Sequence, residues 1–211
     1  MSVAEVIDLA DWAAIKEAKP GNAMPFDWGS LSMPSDCRDF AHRYVRLGLH
    51  PILLYGVRDN GACMCGDRHK KSENSIGKHP IGGEWQTRPV DLDGIQRAMV
   101  RDWRHNVGLR MGKQPNGWRL VAIDVDGPRS LLEPLEAKWG KLPDTLTATS
   151  GKGLHLIYRL RDGAAMPKNA TKIAPGVDIR SEGGQIVAAP SRHRLGRQYR
   201  WLDAREPAVL P

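Results

Sequence analysis

Asp124 and Asp126 close the apolar run Leu120-Val121-Ala122-Ile123-Asp124-Val125-Asp126. In a β-strand, alternate side chains point to opposite faces. Val121, Ile123 and Val125 then share a face suited to a core, and Ala122, Asp124 and Asp126 share the other. Carboxylates so spaced lie about 7 Å apart along the strand, and their side chains can converge further. At ~4 Å and an effective dielectric near 20, two bare negative charges repel by roughly 4 kcal/mol. A divalent cation removes that penalty, and hard oxygen donors prefer Mg²⁺ or Mn²⁺. A strand that merely ends in an acidic turn gives the same D-x-D-G.

Other polar residues stand on the polar side of apolar strands. Leu154, Leu156 and Tyr158 alternate with Gly153, His155 and Ile157, which puts His155 at a strand start, opposite a core-like face. Asp178 lies between Val177 and Ile179, with Arg180 on its own face. Asp178 would complete a metal site with Asp124 and Asp126. Two ions ~3.5–4 Å apart in such a site can clamp the attacking and leaving oxygens of a displacement at phosphorus. A bare acidic cluster repels itself, so removing one acid is expected to leave stability unchanged or raised. Ser150-Gly151-Lys152-Gly153 is a Gly-rich turn of the kind whose backbone N–H groups approach phosphate oxygens. It lacks the Walker A spacing, and it also reads as an ordinary hairpin turn. His155 follows and could place an imidazole on a triphosphate. Arg180 suits either a bidentate phosphate contact or a structural salt bridge to one of the aspartates. Cys63, Cys65, His69 and His79 form C-x-C-x3-H-x9-H in a long polar loop, four soft donors of the kind zinc takes in a tetrahedron. The bland alternative is a surface loop with two incidental cysteines and a phosphate-contacting His79. Cys37 reads as a buried free thiol.

The order of these pieces resembles a known family. D-x-D, then S-G-x-G-x-H, then G-V-D-I-R-x-x-G-G-x-I-V-A-A-P-S is similar to the bifunctional primase-polymerase (prim-pol) family of the archaeo-eukaryotic primase superfamily. Gly77-Lys78-His79-Pro80 matches the family's G-K-H-P, and His193 to Trp201 matches its H-x-x-G-x-x-Y-x-W ending. The resemblance spans roughly residues 38–202. It implies a two-lobed α/β (α+β) catalytic core: a mixed sheet flanked by helices, an RRM-like C-terminal lobe, an active site in the cleft between them, and a zinc-binding loop insertion at about 60–80. It implies template-directed transfer of nucleotides from NTPs or dNTPs on single-stranded DNA. Asp124, Asp126 and Asp178 would be catalytic and hold two Mg²⁺ or Mn²⁺. Ser150, Gly151, Lys152, Gly153, His155 and Arg180 would bind the nucleotide. Cys63, Cys65, His69 and His79 would hold structural Zn²⁺. The family usually has a cysteine near where His69 stands, so the chain departs from the pattern there. Lys78, Arg192 and Arg197 read as template or phosphate contacts. A helicase acting in trans is a partner that the resemblance leaves open. The rival readings are a metal-dependent nuclease and a non-catalytic nucleic-acid-binding module of a replication complex.

Composition is compatible with this. The chain has 211 residues and a formal charge of +7, and its pI near 9.5 favours polyanionic partners. No run approaches the ~18 apolar residues of a membrane span, and no basic-then-apolar signal opens the chain. A cytoplasmic protein is expected. Three cysteines, two of them one residue apart, do not suggest a disulfide framework.

The elements that must position the chemistry follow from periodicity and caps. Residues 3–19 carry a helical pattern and 20–35 a Pro/Gly-rich linker, so 1–36 stand apart from a catalytic domain at 37–205. Ser35 or Asp36 caps a helix over Cys37–Gly48. Pro51–Tyr55 and Val107–Met111 read as strands. Asp91–His105 reads as a helix with Leu92, Ile95, Met99 and Trp103 on one face. Ser130–Trp139 reads as another, with Leu131, Leu132, Leu135 and Trp139 inward. Thr145–Thr149 and Leu154–Leu160 should pair around the Gly-rich turn, and Val177–Arg180 and Gln185–Ala189 around Glu182–Gly184. Tyr199–Leu202 should be the last strand.

Overall fold

The computed structural model describes residues 26–66 and 73–211. The helical pattern at 3–19, residues 20–25 of the linker and His69 lie outside the described residues. The described residues form three α-helices and ten β-strands, an α/β arrangement dominated by antiparallel sheet. Among them, no helix is long and apolar enough to cross a membrane.

Helix α1 (Cys37–Arg46) begins where the Asp36 carboxylate accepts the Asp39 N–H at 2.8 Å, as an N-cap should. It buries Phe40, Ala41, Tyr44 and Val45. Helix α2 (Leu92–Arg101) is capped in the same way by Asp91 and buries Ile95 and Met99. It is shorter than its periodicity predicts. Asp102 turns extended, its carboxylate takes the Arg104 guanidinium at 2.8 Å through two nitrogens, and the chain leaves the helix. Trp103, expected on one helix face with Leu92, Ile95 and Met99, therefore lies past the helix end and is 68% exposed. Helix α3 (Glu133–Trp139) follows a 3-10 turn at Arg129–Leu132, and of the expected inward residues Leu132 is fully buried. Trp139 ends the helix exposed, with the Lys138 ammonium 4.7 Å from its ring centre, against the expectation that it packs inward.

The strands are β1 (Pro51–Leu54), β2 (Asn106–Arg110), β3 (Gly112–Lys113), β4 (Arg119–Val125), β5 (Leu146–Thr149), β6 (Leu154–Arg159), β7 (Thr171–Ala174), β8 (Val177–Arg180), β9 (Gln185–Val187) and β10 (Trp201–Asp203). They form a small sheet, β1-β2-β9, and a large one, β10-β5-β6-β4-β8-β7, with β3 also on β4. The first sheet was expected to be mixed, but every ladder between these strands is antiparallel. The hairpin around the Gly-rich turn forms as predicted, with Thr149 opposite Leu154. The second predicted hairpin does not. Strand β8 pairs with β4 and β7, whereas β9 joins β2 in the other sheet. Between β8 and β9 the chain turns at Gly183, at φ +77°, and the Met111 N–H donates to the Gly184 carbonyl at 3.0 Å. The chain also crosses from one sheet to the other at Met111 and Gly112, so both crossings lie side by side. Alternation shows that a segment is a strand, but not which edge it joins.

Both faces of the large sheet are packed. Val121, Ile123, Val125, Leu156, Tyr158, Val177 and Ile179 form one core with Leu132. On the other face, Leu120, Ala122, Leu146 and Ile157 pack with α1, α2 and the small sheet. Burying one such large aliphatic side chain is worth about 1.5–3 kcal/mol, so both faces anchor the sheet in the core. The second turns polar only at one end.

Candidate active site

Strand β4 is flanked by β6 and β8, and the registers place Asp124 opposite both His155 and Asp178. Directly paired residues on neighbouring strands point to the same face. His155, Asp124 and Asp178 thus form a row across three strands, at the polar end of the face that carries Leu120 and Ala122. Arg180 lies opposite Ala122 on that face. Its guanidinium donates to Asp124 Oδ2 from Nε at 3.2 Å and from Nη2 at 3.1 Å, and Nη2 also reaches Asp178 Oδ2 at 3.3 Å. Of the two roles open to Arg180, the structure shows the salt bridge. Asp126 lies just past the strand end, exposed, with its N–H donating to the Gly176 carbonyl at 2.8 Å.

Asp124 is the hub. Its Oδ1 lies 3.4 Å from His155 Nε2 and its Oδ2 takes Arg180. Burial alone would raise its pKa, but the hydrogen bond and charge of His155 and the Arg180 guanidinium outweigh burial and hold it down to about 2. His155 is buried, and its ring stacks on buried Tyr199 with centroids 6.0 Å apart. Tyr199 in turn meets His193 edge-on at 6.1 Å. Burial and the charges of Asp124 and Asp126 push the Tyr199 phenol well above its ordinary range. Tyr199 and His193 are site residues that the sequence reading misses. Their only signal is their place in the H-x-x-G-x-x-Y-x-W ending.

The turn Ser150-Gly151-Lys152-Gly153 is locked against β4. A Cβ at Gly153 would fall 1.7 Å from the Val125 carbonyl oxygen, so no other residue fits there without moving backbone. A Cβ at Gly151 would fall 2.4 Å from His193 Nε2. Two N–H groups are spent inside the turn: Ser150 donates to the Gly153 carbonyl at 2.8 Å, and Gly153 to Ser150 Oγ at 3.0 Å. What the turn presents outward is the exposed Lys152. Positive charge gathers here. Burial lowers the His193 pKa, and Lys78, Arg194, Arg197 and Lys152 lower it further. Burial also lowers that of Lys78, while Asp124 and Asp126 oppose the change. Lys78 thus feels both the carboxylates of Asp124 and Asp126 and its neighbouring cations.

Buried Asn106 fixes the two loops that bring these cations in. Its Nδ2 donates to the carbonyls of Gly77 and Arg192, each at 2.8 Å, and its Oδ1 accepts the Arg192 N–H at 2.9 Å. Ser191 Oγ both accepts from the Val107 N–H at 2.9 Å and donates to the Val107 carbonyl at 2.8 Å.

Two donor sets suit metals of different kinds. Asp124, Asp126 and Asp178 offer hard oxygens, and the pair that holds the Arg180 guanidinium already stabilises a cation between neighbouring strands, which fits an oxygen-liking divalent ion. The three acids do not converge as tightly as the second set. Cys63, Cys65 and His79 have their ligand atoms within 4.8 Å of one another. Zinc–ligand bonds of about 2.0–2.3 Å need donors somewhat under 4 Å apart, so small side-chain movements suffice. His79 is steadied by its ring stack on Tyr55 at 4.6 Å and by Nδ1 at 3.3 Å from the Ser75 carbonyl. The fourth residue of the predicted set, His69, lies outside the described residues.

Comparison with known proteins fits the motif order. No curated protein matches the chain. The model of the family described as bifunctional DNA primase/polymerase, N-terminal (Prim-Pol) matches residues 41–211, and the chain belongs to that family.

Proposed function

We propose that this chain is a template-directed nucleotidyltransferase on single-stranded DNA, which synthesises primers, extends them, or both. The observation that carries the reading is the row His155–Asp124–Asp178 across β6, β4 and β8, with Lys78 near enough to feel the charges of Asp124 and Asp126. Carboxylates beside cations suit a metal-bound triphosphate. Asp124, Asp126 and Asp178 would hold two Mg²⁺ or Mn²⁺, which when bound supply Lewis-acid stabilisation of charge on the phosphoryl oxygens. His155, Lys152 and the Ser150 hydroxyl would hold the triphosphate. Arg180, released from Asp124 in exchange for metal, would pair with phosphate oxygens. The Ser150–Gly153 turn, wedged against β4, would keep the nucleotide in register with the carboxylates, and such positioning lowers the barrier without forming any bond. Cys63, Cys65, His69 and His79 would hold a structural Zn²⁺. Two lobes, with an RRM-like C-terminal lobe, complete the reading.

The test is an assay on single-stranded DNA, with and without primer, supplying NTPs or dNTPs with Mg²⁺ or Mn²⁺. Templated incorporation with pyrophosphate release is expected. Strand cleavage without pyrophosphate release would make the chain a nuclease, and template binding without either would make it a binding module.

A further inference from the structure

Trp103 is the largest apolar side chain that the fold leaves in solvent close to the Gly-rich turn. It is 68% exposed. Its placement is not slack. The Asp102–Arg104 pair closes around it, with the Arg104 backbone N–H also on Asp102 Oδ1 at 3.1 Å. The Arg192 guanidinium stands 5.8 Å from the centre of its ring, and Asn106 fixes the Arg192 backbone on both sides. Trp103 forms one wall of a groove of about 690 Å³ that runs up to Ser150, Gly151 and Lys152. The groove's charged lining is Lys152, Arg192, Arg197 and Arg200, with no carboxylate. Arg192 pairs with Asp59 at 3.5 Å, and Asp59 is largely exposed. Lys152, Arg197 and Arg200 are exposed and make no ion pair with a described carboxylate.

We infer that this groove takes the single-stranded template, with one base stacked on Trp103 and the phosphates on Arg192, Arg197 and Arg200. Three arginines lining one groove, only Arg192 of them paired with an acid, favour a polyanion. A rigid, exposed indole beside them selects a polyanion that carries flat bases. A duplex hides its base faces in its own stack, so a single strand fits the indole better. A lone nucleoside triphosphate held at the Gly-rich turn by Lys152 would leave the three arginines unused. The groove adjoins that turn, so a strand lying in it would pass the polar end of β4. The inference rests on the proposed polymerase reading for the word template, but the binding itself does not.

The experiment measures binding of a fluorescent oligothymidylate by anisotropy, for wild type, Trp103→Ala, Trp103→Phe and Arg200→Ala. Both positions are on the surface, and thermal melting checks that each variant is folded. Loss of one stacked base should weaken binding about 5- to 150-fold in Trp103→Ala, and Trp103→Phe should recover most of it. Arg200→Ala should weaken binding and lower the slope of log affinity against log salt by about 0.7, the share of one phosphate contact on a single strand. Wild-type affinity for blunt duplex should be lower than for the oligothymidylate. If Trp103→Ala binds the oligonucleotide like wild type, or loses affinity for NTP and not for oligonucleotide, the inference is wrong. Templated incorporation is assayed on the same proteins. Wild-type incorporation with unchanged Trp103→Ala binding overturns only the groove. Absent incorporation with weakened Trp103→Ala binding overturns only the polymerase reading.

Discussion

Replacing Asp124 by asparagine keeps the shape of the side chain and removes its charge. The sequence alone suggests that such a change is harmless to the fold, or stabilising, because clustered acids repel. The structure reverses that expectation. Asp124 is 16% exposed and is held by His155 at 3.4 Å and Arg180 at 3.1 Å. Its carboxyl titrates at about 2 in the fold, against 3.8 ordinarily. At about 1.4 kcal/mol for each tenfold change in an acidity constant, the favoured charge is worth roughly 2 kcal/mol at neutral pH. The pKa is depressed in the folded state, so this stability is fully present above pH 3.8 and is lost as pH falls towards 2. Asp124→Asn should therefore unfold at lower urea than wild type at pH 7, by on the order of 2 kcal/mol. The difference should shrink by about half at pH 3, in buffer free of Mg²⁺ and Mn²⁺. The same variant should lose nucleotide incorporation by about 10²-fold or more, as when one strong transition-state contact is removed. Equal stability of the two proteins at pH 7 would refute the electrostatic argument. Near wild-type incorporation by folded Asp124→Asn would refute the metal assignment.

His155→Ala should act differently: its proposed partner is the triphosphate, so steady-state kinetics should show mainly a raised KM for nucleotide. Protein purified without added zinc should carry about one equivalent, released by Cys63→Ser with a fall in melting temperature, since metal binding to such a site is folding free energy. Less than a tenth of an equivalent would remove the zinc site, and retention by His69→Ala would remove only that ligand. Cys37 should resist iodoacetamide at pH 8 in the native protein and react after unfolding. Cys37 is half-buried rather than fully buried as expected, yet the packing around its thiol pushes it up to about 12, despite the Ser191 hydroxyl 4.0 Å away. Mass spectrometry of the alkylated peptides reads the outcome directly, and rapid native labelling of Cys37 would contradict the packing of α1.

Local chemistry written in the chain was legible without a fold. The Asp36 cap, the β4 alternation, the Gly-rich hairpin and the order of the motifs all depend on neighbours in sequence, whose spacing a strand or helix fixes. So the sequence by itself determined which residues are candidates for the chemistry and the family to which their order belongs. Only tertiary structure decided what each one meets. That His155 and Asp178 flank Asp124 on opposite sides follows from pairing β6 and β8 to the same strand, a choice made by long-range packing of two apolar faces. That β9 leaves β8 for the other sheet follows from the same packing, because alternation is identical for either partner. Arg180 could have met a phosphate or an aspartate, and the register put two aspartates within its reach. Trp103 and Trp139 continue helical apolar patterns, yet both end outside. A pattern records only spacing, whereas burial needs a facing surface, and the Asp102 turn and the end of α3 carry these two indoles beyond one.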